Sequence, residues 1–160
     1  ISGMQSHYFE HFMEGLCDAQ GVKLSDCFAN SFCLSADVSN AFDPNWPETC
    51  DKRNNSQLNY GVAICKYTGS RGKGGASDAS AEAMGHVRST LDKAGVIWQI
   101  ATLGKVDQGG GGTVAAYMAN RNIVTVDAGV PVLSMHAPLE LVSKLDCYET
   151  MLACKAIYLA

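Results

Sequence analysis

The chain has 160 residues, 47% hydrophobic and 18% charged, with a net charge of -4. That is enough for one domain with a buried core, and too apolar for a disordered chain. Lys and Arg form no cluster, which argues against a nucleic-acid or anionic-membrane partner, and no apolar run approaches the roughly 18 residues that span a bilayer. The N-terminus shows no basic and apolar leader pattern, so a cytoplasmic location is expected.

In chain order, Met4, Tyr8, Phe9, Phe12, Met13 and Leu16 recur at helical spacing over residues 4 to 19, and Gly21 follows as a stop. Phe32 to Ala36 reads as a short strand, followed by a turn-rich loop through Asp43, Pro44, Asn45 and Pro47. Residues 61 to 67 form a second expected strand. "TGSRGKGGASD" (68 to 78) then leads into a helix from Asp78, its expected N-cap, to Lys93, closed by Gly95. A third strand is expected over 96 to 103. "DQGGGGT" (107 to 113) opens a helix ending near Arg121. A fourth strand follows at 123 to 126 and a short fifth at 132 to 135, before a helical C-terminus from Pro138, strongest over 146 to 159. Alternating strands and helices argue for a mostly parallel (mixed) sheet in a three-layer α/β/α sandwich.

The seven cysteines, at 17, 27, 33, 50, 65, 147 and 154, include no C-x-x-C pair and match no zinc-knuckle spacing. Reduced thiols that pack as small hydrophobes are expected.

Ligands of such sheets sit at the carboxyl ends of strands. Asp37 ends the first expected strand and His136 the last, and both residue types bind metal. Each has an ordinary reading too: Asp37 as a cap or Asx-turn residue, His136 as a hydrogen-bonded, partly buried histidine. His7 and His11, one helical turn apart, are expected to be exposed helix positions, and His86 matches no ligand motif. Neither Gly-rich stretch has the G-x-x-x-x-G-K-[ST] pattern of a phosphate loop. Asp127 and Glu140 are expected to be structural, Asp127 following the fourth strand and orienting a neighbouring loop.

Four segments, "SADVSNAFDPNW", "GSRGKGGASDASAE", "DQGGGGT" and "VDAGVPVLSMHAPLE", resemble in order the C-terminal catalytic portion of the aspartyl aminopeptidase and aminopeptidase I family of zinc metallo-aminopeptidases. The resemblance extends over essentially the whole chain. It implies a di-zinc exopeptidase α/β/α fold, incomplete at the N-terminus, with residues 1–160 forming the C-terminal portion of the catalytic domain and the inserted dimerisation domain absent. It implies hydrolysis of N-terminal residues from peptide substrates by metal-activated water at two zinc ions, with cobalt or manganese as possible substitutes, in a dodecameric homo-oligomer. By resemblance Asp37 and His136 are zinc ligands, while the general-base Glu and the other ligands belong upstream of Ile1.

Asn40 and Lys66 are the positions implied to contact substrate. The aspartyl branch carries His where this chain has Asn40 and Asp43, which puts a preference for acidic N-termini in question. A non-catalytic fragment or scaffold that kept the fold without activity is the alternative. The isolated chain is expected to form a destabilised sheet with exposed apolar edge surface.

Overall fold

The computed structural model describes residues 3–68, 77–105 and 107–160. Among these residues five strands form one sheet: β1 (Phe32–Asn40), β2 (Val62–Cys65), β3 (Trp98–Ala101), β4 (Val124–Leu133) and β5 (Leu141–Val142). The α-helices among them are α1 (Tyr8–Gln20), α2 (Leu24–Ala29), α3 (Ala81–Ala94), α4 (Ala115–Ala119) and α5 (Lys144–Tyr158). The strand order is β1-β4-β2-β3, with β5 paired to β4. Pairs β1–β4 and β2–β3 are parallel, whereas β2 and β5 run antiparallel to β4. The sheet is therefore mixed, and carboxyl strand ends emerge at both of its edges.

The alternation of β2 shows why helices cover both faces. Val62 and Ile64 join Val126 and Ala128 under Ala83, Val87 and Leu91 of α3 and Ala153 of α5. Ala63 and Cys65 point the other way, against Ala101. On that second face Phe28, Met118 and Ile123 gather Met4, Phe9, Met13 and Cys33, joining α1, α2 and α4. Period-2 side-chain alternation in a strand with both faces buried gives the four fully apolar residues of β2.

Several sequence expectations shift in detail. The expected first helix divides into a 3-10 turn at Gly3–Gln5 and α1, and only part of its apolar set is buried: Phe9 and Met13 pack, while Tyr8 and Phe12 are exposed. The short helix α2 lies where no element is expected from the pattern, and β5 occupies the start of the helix expected from Pro138, so that α5 begins only at Lys144, capped by Ser143. The N-cap of α3 is Ser80, whose Oγ accepts the Ala83 N–H at 3.1 Å, and not Asp78, which instead forms a β-bridge with Tyr67. Gly21 and Gly95 close α1 and α3 in the left-handed conformation, at φ 68° and 69°. The expected fourth and fifth strands are one strand, β4. All seven cysteines are free; Cys17, Cys50 and Cys65 are buried, but Cys147 is exposed and does not pack as expected. Most of the Gly-rich segment at 69 to 76 lies outside the described residues.

Candidate metal and substrate site

Asp37 lies within β1 rather than at its end, because pairing with β4 continues three residues further, to Asn40 opposite Val132. Its carboxylate is exposed, and Oδ1 accepts the N–H of Val38 at 2.7 Å. It borders a cavity of about 10 Å³, roughly the size of one water, with Ser39, Cys65, Thr68, Leu103, Thr113 and Asp127 among its walls.

His136 lies beyond β4, in the turn that leads to β5. Its ring is exposed, and its backbone is left-handed at φ 68°, as is that of Ser134 at φ 59°. A left-handed non-Gly residue is uncommon, and two within three positions mark a turn whose shape is imposed by its contacts. One of those contacts is the Glu140 carboxylate, whose Oε1 accepts the N–H of His136. Asn40 and His136 face a common groove of about 270 Å³, walled by Met135 and by Leu103, Gly104, Gly110 and Gly111. Leu103 also borders the cavity beside Asp37. The structure thus places Asp37, Asn40 and His136 around one loop, which returns from β3 to α4.

Lys66 lines neither the cavity beside Asp37 nor the groove beside His136, although Cys65 and Thr68 on either side of it border that cavity. Its Nζ donates to Asp78 Oδ1, with both side chains partly exposed.

Asp127, read from sequence as a loop residue, is inside β4 and only 6% exposed. Its Oδ2 accepts the Thr113 hydroxyl at 2.9 Å, while Oδ1 has no hydrogen-bond partner among the described residues. Burial pushes its carboxyl above the usual carboxylate range; the Ser35 and Thr113 hydroxyls oppose that, and the neighbouring charge of Asp37 adds to it. Burial likewise lifts the Cys65 thiol to about 11, against a hydrogen bond from Ser39 and with the charge of Asp127. Sequence reasoning missed how buried Asp127 is. The signal available was its place directly between the apolar residues Val126 and Ala128 in the strand-like run from Ile123 to Val130.

A carboxylate oxygen and an imidazole nitrogen are donors zinc accepts, and both are solvent-accessible here. A tetrahedral zinc needs more than two donors, and among the described residues no three His, Cys, Asp or Glu side chains gather as a metal site.

Residues 1–158 match the profile of the family described as aminopeptidase I zinc metalloprotease (M18). A probable M18 family aminopeptidase 1 of Clostridium acetobutylicum is 50% identical over 153 residues, covering 93% of this chain and 33% of that protein. The crystal structure of an M18-family aminopeptidase from Thermotoga maritima superposes with a TM-score of 0.92 at 41% identity, over 97% of this chain and 36% of that one. The S. cerevisiae mApe1 dodecamer matches at a TM-score of 0.80 and 22% identity, over 98% of this chain and 34% of that one, a likeness of fold alone. The chain spans about a third of the length of the curated relatives it matches.

Proposed function

Because the chain belongs to the aminopeptidase I zinc metalloprotease (M18) family, we propose that residues 1–160 form the C-terminal portion of the catalytic domain of a zinc-dependent aminopeptidase, the inserted dimerisation domain lying outside them. The observation that carries this reading is the arrangement of Asp37 and His136, two exposed donors of the kind zinc takes, on either side of Leu103. Asp37 binds through a carboxylate oxygen and His136 through an imidazole nitrogen, in a centre of two ions. Zinc, when bound, polarises a carbonyl and activates a water at neutral pH.

The remaining donors and the general-base Glu belong to the part of the relatives' length that this chain does not span. Asn40, on the groove beside His136, contacts the peptide substrate. Lys66 contacts it only when released from Asp78. The isolated 160-residue chain is then a partial site without turnover of its own.

The assembly is a homo-oligomer. Exposed Leu139, Leu141, Val142 and Leu145 support this, since neighbouring large apolar side chains favour burial against another surface. No helix among the described residues is long and apolar enough to cross a membrane. A cytoplasmic location agrees with seven unpaired cysteines, which a reducing compartment preserves.

Zinc content by elemental analysis, with leucyl and aspartyl chromogenic peptides assayed on the same samples, tests the reading. The longest natural protein carrying this chain is expected to hold zinc and release N-terminal residues, and the 160-residue chain to hold zinc weakly without turnover. Absence of zinc and turnover in the long protein refutes the aminopeptidase; tight zinc with turnover in the short chain refutes the partial site.

A further inference from the structure

The loop between β3 and α4 supplies one wall of the groove beside Asn40 and His136, through Leu103, Gly104, Gly110 and Gly111. Glycine-rich backbone has little intrinsic order, because each Gly leaves many conformations open in the free loop. Among the described residues, two side-chain hydrogen bonds hold this loop's stretch from Gly111 to Thr113, beyond the Thr102–Asn54 contact at its start. Thr68 Oγ1, after β2, donates to the Gly111 carbonyl at 2.7 Å, and Thr113 Oγ1 donates to Asp127 Oδ2 at 2.9 Å. The second ends on a carboxylate 6% exposed in the middle of β4. Asp127 is therefore a fixed point of the sheet, and Thr113 transfers its position to the loop. The other Asp127 oxygen has no partner among the described residues, so the Thr113 hydroxyl is the hydrogen bond that ties this carboxylate to the loop.

We propose that Asp127 is a positioning residue for substrate binding: through Thr113 it holds the Gly-rich loop against the groove at Asn40 and His136. The proposal rests on the aminopeptidase reading and adds to it a residue that touches neither metal nor substrate. A loosened loop must be ordered whenever substrate binds, and that cost falls equally on the bound ground state and the transition state. Loss of such uniform binding raises KM and leaves kcat unchanged.

The test uses the longest natural protein that carries this chain, its turnover of a leucyl peptide, and hydrogen exchange of the loop peptide. Thr113→Val keeps the shape of the side chain and removes the donor, and Thr113→Ser keeps the donor. Thr113→Val is expected to raise KM about tenfold, the scale of one hydrogen bond to a charged group, with kcat within about threefold, while Thr113→Ser stays near the parent. Loop exchange quickens in Thr113→Val and in Asp127→Asn if that variant folds.

A parental KM in Thr113→Val overturns the proposal, as does an equal loss in Thr113→Ser or a loss confined to kcat. If the parent itself turns over no peptide, the aminopeptidase reading fails instead. Loop exchange then still decides the anchor, and unchanged exchange in Thr113→Val refutes it.

Discussion

A Cβ placed on Gly129 falls 1.4 Å from the carbonyl oxygen of Asp37 and 2.4 Å from its carbonyl carbon. The two residues are partners in the parallel β1–β4 ladder, and the atoms met are backbone, which cannot swing aside. Gly129→Ala must push β4 away from β1 at the row that carries the candidate metal ligand. A loss of about 4 kcal/mol or more, or failure to fold, is expected in chemical denaturation. A variant within about 1 kcal/mol of the parent contradicts the close approach.

The left-handed turn at His136 depends on Glu140. Removing the acceptor in Glu140→Ala is expected to weaken zinc retention about tenfold in chelator competition, because partners that orient a ligand carry that much of metal affinity. Glu140→Gln keeps an acceptor oxygen and should lose less than about threefold. Equal losses in both variants would show that the turn needs the charge rather than the hydrogen bond.

Asp146, fully buried in the first turn of α5, accepts the N–H groups of Asn59 at 2.8 Å and Gly61 at 2.9 Å. Asp146→Ala leaves both donors unsatisfied just before β2, at an expected cost of about 3 kcal/mol in denaturant unfolding. Asp146→Asn keeps one acceptor and should fall between the two.

Cys65, lifted to about 11, holds its proton in the folded protein beyond the pH at which the unfolded thiol, near 9.0, releases it. The folded state binds more protons in that window, so stability is retained below about pH 9 and lost as pH rises toward 11. Cys65→Ala should flatten this alkaline slope in thermal melts taken from pH 8 to 10.5. At pH 8 only about one Cys65 in a thousand is thiolate, so iodoacetamide should label exposed Cys147 and spare Cys65. Labelling of native Cys65 at a rate comparable to Cys147 contradicts its burial.

Much of the fold was legible in local patterns. The apolar run at Val62–Cys65 and the stop at Gly95 depend on neighbours in sequence; the stop stands as read, and the strand expected over 61 to 67 forms over its apolar centre. The continuity of β4 was hidden by Gly129 and Pro131, which read as breakers. Gly129 is there to let β1 approach. Pro131 falls between the ladder to β2, which ends at Gly129, and the ladder to β5, which begins at Val132, where neither of these strands requires an N–H. The reversed direction of β2 left no mark on its own residues, since side-chain alternation is the same in either sense, and direction is fixed by which strands it meets. The candidate ligands Asp37 and His136 stood out as residue types at strand ends. The buried environment of Asp127 and the Glu140 contact depended on tertiary neighbours that periodicity does not encode.

Among the described residues β1 pairs with β4, and their ladder opens at Phe32 opposite Val124. On the ribosome, β1 emerges about 90 residues before the segment that pairs with it, a wait of roughly 5 to 18 seconds at ordinary rates of synthesis. During that interval Phe32, Cys33 and Leu34 lack their ladder to β4, while β2 and β3 can already pair with each other. Production of the protein in cells should therefore respond to chaperones that hold nascent chains and to the speed of translation between β1 and β4, more than to the stability of the finished sheet.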